Sequence, residues 1–444
     1  QLSKRRPSLR RLTALLVAAA CVTDPVFAFD VIYGDGITEI HSNSSLPEGV
    51  TGNLILGDNG GDGTYNLSGT GSLQVTMPGT AIIVGNAGTG TFNQLAGIVD
   101  AASVILGNQS FARGVYNMGG GSLNVLGDML VGRGDVDVDP GVAGLFRQTG
   151  GDVVTNTLWI GGDTRNPLEE HYGRGRYELE SGSVTSQVTL VGNISPGSVF
   201  QTGGTFNAGN LFIGRSGQFT ALGSVTETST FDLQNGQLNT AGTTLSQFGM
   251  GTFNHSGGDH NVGGNLVIGA ETAFVTPIPG LGRIAQGIYN FSDGGLNVTG
   301  DTVLGAADDS KGTFNQSGGI ATLTGNLVIA QGSNSEGSYN LTGGTLNVGL
   351  DLVVGKQGGG SFIHQAGNAF ADRVFVAASN GSSGQYTMNG GTLTVTRDLF
   401  VGSNDIDGTD AGAGSFVHNL GVVSTGALYM DGGYNIGSTT STYF

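Results

Sequence analysis

The stretch Gly337-Ser338-Tyr339-Asn340-Leu341-Thr342-Gly343-Gly344-Thr345-Leu346-Asn347-Val348-Gly349-Leu350-Asp351-Leu352-Val353-Val354-Gly355 decides the fold. It carries three short strand signals. The first is an aromatic-Asn segment. The second, Leu346-Asn347-Val348, alternates apolar and polar, so one face turns inward and the other to solvent. The third, Leu352-Val353-Val354, is an apolar triplet closed by Gly355. The glycines suit corners with positive φ.

The same unit recurs in both directions along the chain. Clear copies begin at Gly63, Gly90, Gly114, Gly251, Gly287, Gly312 and Gly337, and weaker ones centre on Phe146, Tyr177, Val199, Phe231, Phe362, Tyr386 and Phe416. Successive anchors are 22 to 36 residues apart. A fixed period with three strands and three corners predicts an all-β fold, a single-stranded parallel β-helix (β-solenoid) of roughly 15 coils. At about 4.8 Å per coil the rod would be about 70 Å long. An ordinary β-sandwich would not keep one motif in step over this distance.

A second regularity sits on the first. Two places after a Tyr anchor the residue is usually apolar, as at Leu67, Met118, Leu179, Phe291, Leu341 and Met388; after several Phe anchors it is Gln94, Gln148, His255 or Gln316. The two types largely alternate, with Phe231 followed by Leu233 as an exception. A buried phenol needs a partner. We therefore expect Tyr65, Tyr116, Tyr289, Tyr339 and Tyr386 to point inward, stack on the Phe anchors and bond to the Gln or His of the adjacent coil.

Composition agrees with short strands and tight turns. Of 444 residues 83 are glycine and only 9 proline, and charged residues are 11%. Residues 1–28 read as a signal peptide: basic Lys4, Arg5, Arg6, Arg10 and Arg11, an apolar run from Leu12 to Ala20, and Val26-Phe27-Ala28 before the cleavage point. A lipoprotein anchor at Cys21 and a twin-arginine signal fit less well. Cleavage removes five basic residues, Asp24 and the only cysteine, and takes the net charge from −17 to −21. Nucleic acid is then an unsuitable partner. Residues 29–62 are expected to form an N-terminal cap with a first incomplete coil, and residues 63–444 the repeats. The last residues, Thr442-Tyr443-Phe444, fall where another repeat should begin.

A basic signal segment followed by Gly-x-[Tyr/Phe]-Asn-x-x-Gly-Gly copies resembles the β-helical passenger of bacterial autotransporters and related exported repeat proteins. The resemblance covers residues 63 to 444. It implies export to the cell surface or beyond, attachment to the outer membrane through a further C-terminal part, and a role in adhesion, autoaggregation or biofilm. It implies no catalytic activity. The competing reading is a polysaccharide-active β-helix enzyme, a lyase or hydrolase with clustered carboxylates on one face.

Candidate sites are few. Glu169, Glu170, His171 and Arg174 form the richest ionisable cluster and are the candidate acid–base residues; a solvated loop is the simpler reading. Asp135, Asp137 and Asp139, and again Asp405, Asp407 and Asp410, place aspartates like a calcium loop without its closing Glu. Ca2+ is thus the one cofactor to consider, against plain acidic turns. Arg133-Gly134-Asp135 is an integrin-type tripeptide that a chain of this composition also produces by chance. The anchor-following Asn residues read better as a stacked ladder than as glycan acceptors.

The third strand raises a sharper question. Its middle residue is apolar in nearly every copy: Ile55, Ile83, Ile105, Leu130, Trp159, Leu190, Phe212, Val267, Val303, Val328, Val353, Phe375, Phe400 and Tyr429. Its neighbours are apolar too. Successive strand residues face opposite sides, so one apolar set faces out and stacks into a stripe. Two readings follow. Insertions near residues 135, 165, 220 and 275 cover it, or it is a face for self-association or for glycan and cell-surface contact.

Overall fold

The computed structural model describes residues 29–134, 142–162, 173–215, 228–247, 249–270, 286–402 and 412–430. Among these, 39 strands pair in parallel into one continuous, unclosed sheet, and no helix occurs. Each strand bonds to its counterpart one coil earlier and one coil later. That is a parallel β-helix. Fifteen strands belong to the first, aromatic-bearing type, from Thr38–Asn43 to Ala413–Ser424. In the middle of the rod the second and third strands run together, as in Ser122–Val131 and Gln237–Leu245.

Stacking begins before the first clear repeat. Val31–Asp35 pairs with Leu54–Asp58, and Thr38–Asn43 pairs with Asp62–Leu67, with His41 in the ring position opposite Tyr65. Residues 31–58 thus already stack as solenoid strands, within the region expected to hold the cap and the first incomplete coil.

Alternation along each strand builds the core. In the coil starting at Lys311, Phe314, Gln316, Ala321, Leu323, Leu327 and Ile329 point inward and are at most 1% exposed. Such residues from every coil join one apolar cluster running from Val50 to Val423. Burying a Phe, Leu or Ile side chain stabilises by about 1.5–3 kcal/mol before chain entropy is subtracted. A single coil gains little of this, because its upper and lower faces are covered only by neighbours.

The glycines are of two kinds. Gly85, closing a third strand, has φ +74°, where other residues are strained. Gly114, opening a first strand, does not have a positive φ; it is glycine because a Cβ there would sit 2.0 Å from the carbonyl oxygen of Val84.

The expected register of rings is present. Tyr65, Phe92, Tyr116, Phe146 and Tyr177 stack at 4.5–5.0 Å between centroids. The column resumes from Phe231 through Phe416. The hydroxyls of Tyr116, Tyr177 and Tyr339 donate to the Oε1 atoms of Gln94, Gln148 and Gln316 one coil earlier, at 2.7, 2.7 and 2.5 Å. Tyr289 and Tyr386 meet Nδ1 of His255 and His364 at 3.1 and 2.9 Å. Each Gln amide also donates to backbone carbonyls, as Gln94 does to Ser122. Burial lifts the fully enclosed phenols well above their ordinary pKa, so they stay neutral donors.

Outside the core, Asn side chains form ladders. Asn117 donates to Asn93 and Asn93 to Asn66, and Asn340, Asn315, Asn290 and Asn254 are linked at 2.7–2.9 Å. A second ladder on the second strands joins Asn297, Asn261, Asn239 and Asn207.

Candidate functional site

The third strands carry the candidate surface. Register places Ile55, Ile83, Ile105, Leu130, Trp159, Leu190 and Phe212 in one column. It continues through Thr244 to Val267, Val303, Val328, Val353, Phe375, Phe400 and Tyr429. These side chains face away from the central core. Their immediate neighbours Leu327 and Ile329, or Leu352 and Val354, are in the core. The outward residues instead form separate clusters, one around Ile105, Leu130 and Trp159 and one around Val353, Phe375, Phe400 and Tyr429. Thr244 is the polar break in the column.

The stripe is less open than a bare surface strip. Leu130, Phe400, Val328, Val303 and Phe375 are only 1–7% exposed, whereas Trp159, Phe212, Val267, Val353 and Tyr429 are half-buried. Several members are thus closely covered although they point outward. Stacking supplies part of that cover. Phe375, Phe400 and Tyr429 lie ring on ring at 4.9 Å, and the Arg373 guanidinium, paired to Asp351 at 2.8 Å, lies 5.2 Å from the Phe375 centroid. The Trp159 Nε1 donor is buried with no acceptor among the described residues.

Residues 135–141, 163–172, 216–227, 271–285 and 403–411 each lie between a third strand and the next first strand. All five thus fall at the same place in the repeat, after the strand that carries the stripe. The insertions expected to cover the stripe belong to these segments and lie outside the described residues. So do Glu169, Glu170 and His171, and both aspartate sets, Asp135, Asp137, Asp139 and Asp405, Asp407, Asp410. Arg174 is described: it is half-buried, and its carbonyl accepts from the amides of Ala143 and Gly144. The departure points of the two aspartate sets are ten coils apart, about 48 Å along the rod. Among the described residues no three His, Cys, Asp or Glu side chains gather as a metal site would need.

An ionisable group that the sequence did not suggest closes the N-terminal end of the core. Glu48 turns inward on a second strand and accepts from the Tyr65 hydroxyl at 2.7 Å, with His41 Nε2 at 3.2 Å. Tyr33 stacks on His41 at 4.8 Å, and burial pushes its phenol up to about 12. Glu48 stands where later coils place Leu73 and Val99, so no local pattern marks it. An inward charge on a terminal coil deters edge-to-edge pairing. At the other end, Leu399, Phe416, Val423, Leu428 and Met430 line an apolar cavity of about 280 Å³ beside His418. It lies at the last described coil, and none of its described lining residues forms an acid–base pair.

No protein-family model, no curated protein and no solved structure matches this chain.

Proposed function

We propose that the protein is an exported, non-enzymatic rod, a surface stalk, adhesin or matrix component, that associates along its third-strand face with like rods or with surface glycans. The observation that carries this reading is the outward column of apolar side chains running in register from Ile55 to Tyr429. Part of the column stays half-buried on its outer side after stacking, and repeated apolar side chains at one-coil spacing suit a partner that is itself repetitive. The signal-like segment 1–28 and the resemblance to autotransporter passengers support export.

The test uses Val267→Asp together with Val353→Asp. Both residues are half-buried and face outward, and are better choices than Val328 at 6% exposure. Light scattering and adhesion assays should show reduced association, with unchanged β circular dichroism. Unchanged association would reject the face. Release of reducing ends from a polysaccharide by the native protein, lost on changing Glu169 and Glu170 to Gln, would favour the enzyme reading instead.

A further inference from the structure

Where the Tyr116, Tyr177 and Tyr339 junctions each have one amide, the Tyr289 junction has two imidazoles. The Tyr289 hydroxyl lies 3.1 Å from His255 Nδ1 and 3.0 Å from His260 Nδ1. His255, His260 and Tyr289 are at most 1% exposed. The hydrogen positions follow from the partners. His255 Nε2 is 3.1 Å from the Gly258 carbonyl, which only accepts, so Nε2 bears the proton and Nδ1 is bare. Tyr289 must then donate to His255. Its single proton is used, so it accepts from His260 Nδ1. That leaves His260 Nε2 bare, accepting from Thr243 Oγ1 at 3.1 Å, which accepts from Thr240 Oγ1 at 2.9 Å. The result is a one-way chain with opposite tautomers on the two histidines and no vacant acceptor for another proton.

We propose that this junction is an acid-operated weak joint, at which the stack of the strands Ser229–Leu233, Met250–His255 and Gln286–Phe291 loosens in mildly acidic surroundings while the glutamine junctions stay closed. A proton added at His255 Nδ1 would set two donors against the Tyr289 oxygen with the phenol proton still to be placed. A proton added at His260 Nε2 would face Thr243 and leave an imidazolium buried against Phe253, whose ring lies 4.9 Å away. Thr240, Thr243, Leu296 and Val298, from the second strands packed on the site, bring no titratable group to it. The charges acting on His255 are those of Asp259 and Asp293, which favour protonation and are outweighed by burial. Burial, and then His255 itself, hold His260 neutral.

The sign follows. An unfolded or locally opened histidine takes up its proton near pH 6.5, whereas in the closed junction both imidazoles do so only at lower pH. Stability is therefore whole above about pH 6.5 and is lost as the pH falls below it, by up to about tenfold in the opening equilibrium per imidazole per pH unit.

The experiment is amide hydrogen exchange on the full chain at pH 7.5 and 4.5, corrected for intrinsic rates. Protection in residues 250–262 and 286–298 should drop at least about tenfold more than in residues 89–118, where Gln94 serves Tyr116. The variant His255→Gln with His260→Leu gives each site a residue already found in its column, Gln316 two coils on in one and Leu238 one coil earlier in the other. It should abolish that difference while matching the native circular dichroism at pH 7.5. A second measurement needs no substitution: the two imidazole resonances should stay in their neutral form until the exchange opens. Equal acid response at both junctions, a difference that survives in the variant, or imidazoles titrating at their ordinary value without opening would each overturn the proposal.

Discussion

Between Tyr289 and Tyr339 the rings lie 4.7–4.8 Å apart and within 4° of parallel. Between Tyr177 and Phe231 the column instead passes through Phe206 in two edge contacts of 6.1 and 5.8 Å. The reason is one substitution in the repeat. Val199 occupies an anchor position, and Phe206, on the second strand of the same coil, fills the space where the coils on either side have Val184 and Leu238. Volume is thus replaced from another strand. Hydrogen bonding is not. Gln201 is fully buried, but the next anchor is Phe231 rather than a tyrosine, and Gln201 Oε1 has no partner among the described residues. At this coil the core keeps its volume and leaves a polar atom unmatched, whereas the coils in which Tyr alternates with Gln or His satisfy both.

Three substitutions sharpen that contrast. Phe314→Ala in the regular column should be the most damaging, costing about 3–5 kcal/mol through the cavity left between two stacked rings. The fall of the urea transition reads it. Tyr339→Phe keeps the ring but strands Gln316 Oε1, and should cost about 1–3 kcal/mol. If the loss is no larger than the scatter between repeats of the urea measurement, the pairing is ornamental. Phe231→Tyr is the smallest and has the opposite sign. It supplies the hydroxyl that Gln201 lacks and should stabilise by about 0.5–1.5 kcal/mol. Destabilisation there would mean that the irregular coil has no room for the bond.

Much of this was readable from the chain. The alternation of Tyr-apolar with Phe-Gln or Phe-His specifies ring register and, except at Tyr65, whose hydroxyl goes to Glu48 rather than to the expected Gln or His, the hydroxyl partner, because both residues lie on one strand type and return at one-coil spacing. The exception at Phe231 and Leu233 marks the site of the orphaned Gln201. The Asn ladder was equally legible. Other features were not, because they depend on contacts between strands of different type. His260 reaches Tyr289 from a second strand, Phe206 enters the ring column from one, and Glu48 reaches Tyr65 from one. Period-two patterning says nothing about which inward neighbour a side chain meets, and no local pattern marks Glu48. The outward direction of the stripe followed from strand alternation, and its partial cover did not. Residue type alone cannot distinguish the half-buried Val353 from Val328 at 6% exposure.

The proposed association face can be located by cross-linking, since Cys21 is the only cysteine in the chain. In a Cys21→Ser background, Val353→Cys places a thiol on the stripe and Asn347→Cys places one on the second-strand face of the same coil, both at half-buried outward positions. Oxidation of the two proteins at equal concentration, read on non-reducing gels, compares the faces directly. The account predicts disulfide-linked dimers through residue 353 and monomers with the thiol at residue 347. Equal cross-linking at both positions, or none at residue 353 while the rods still associate, would contradict it.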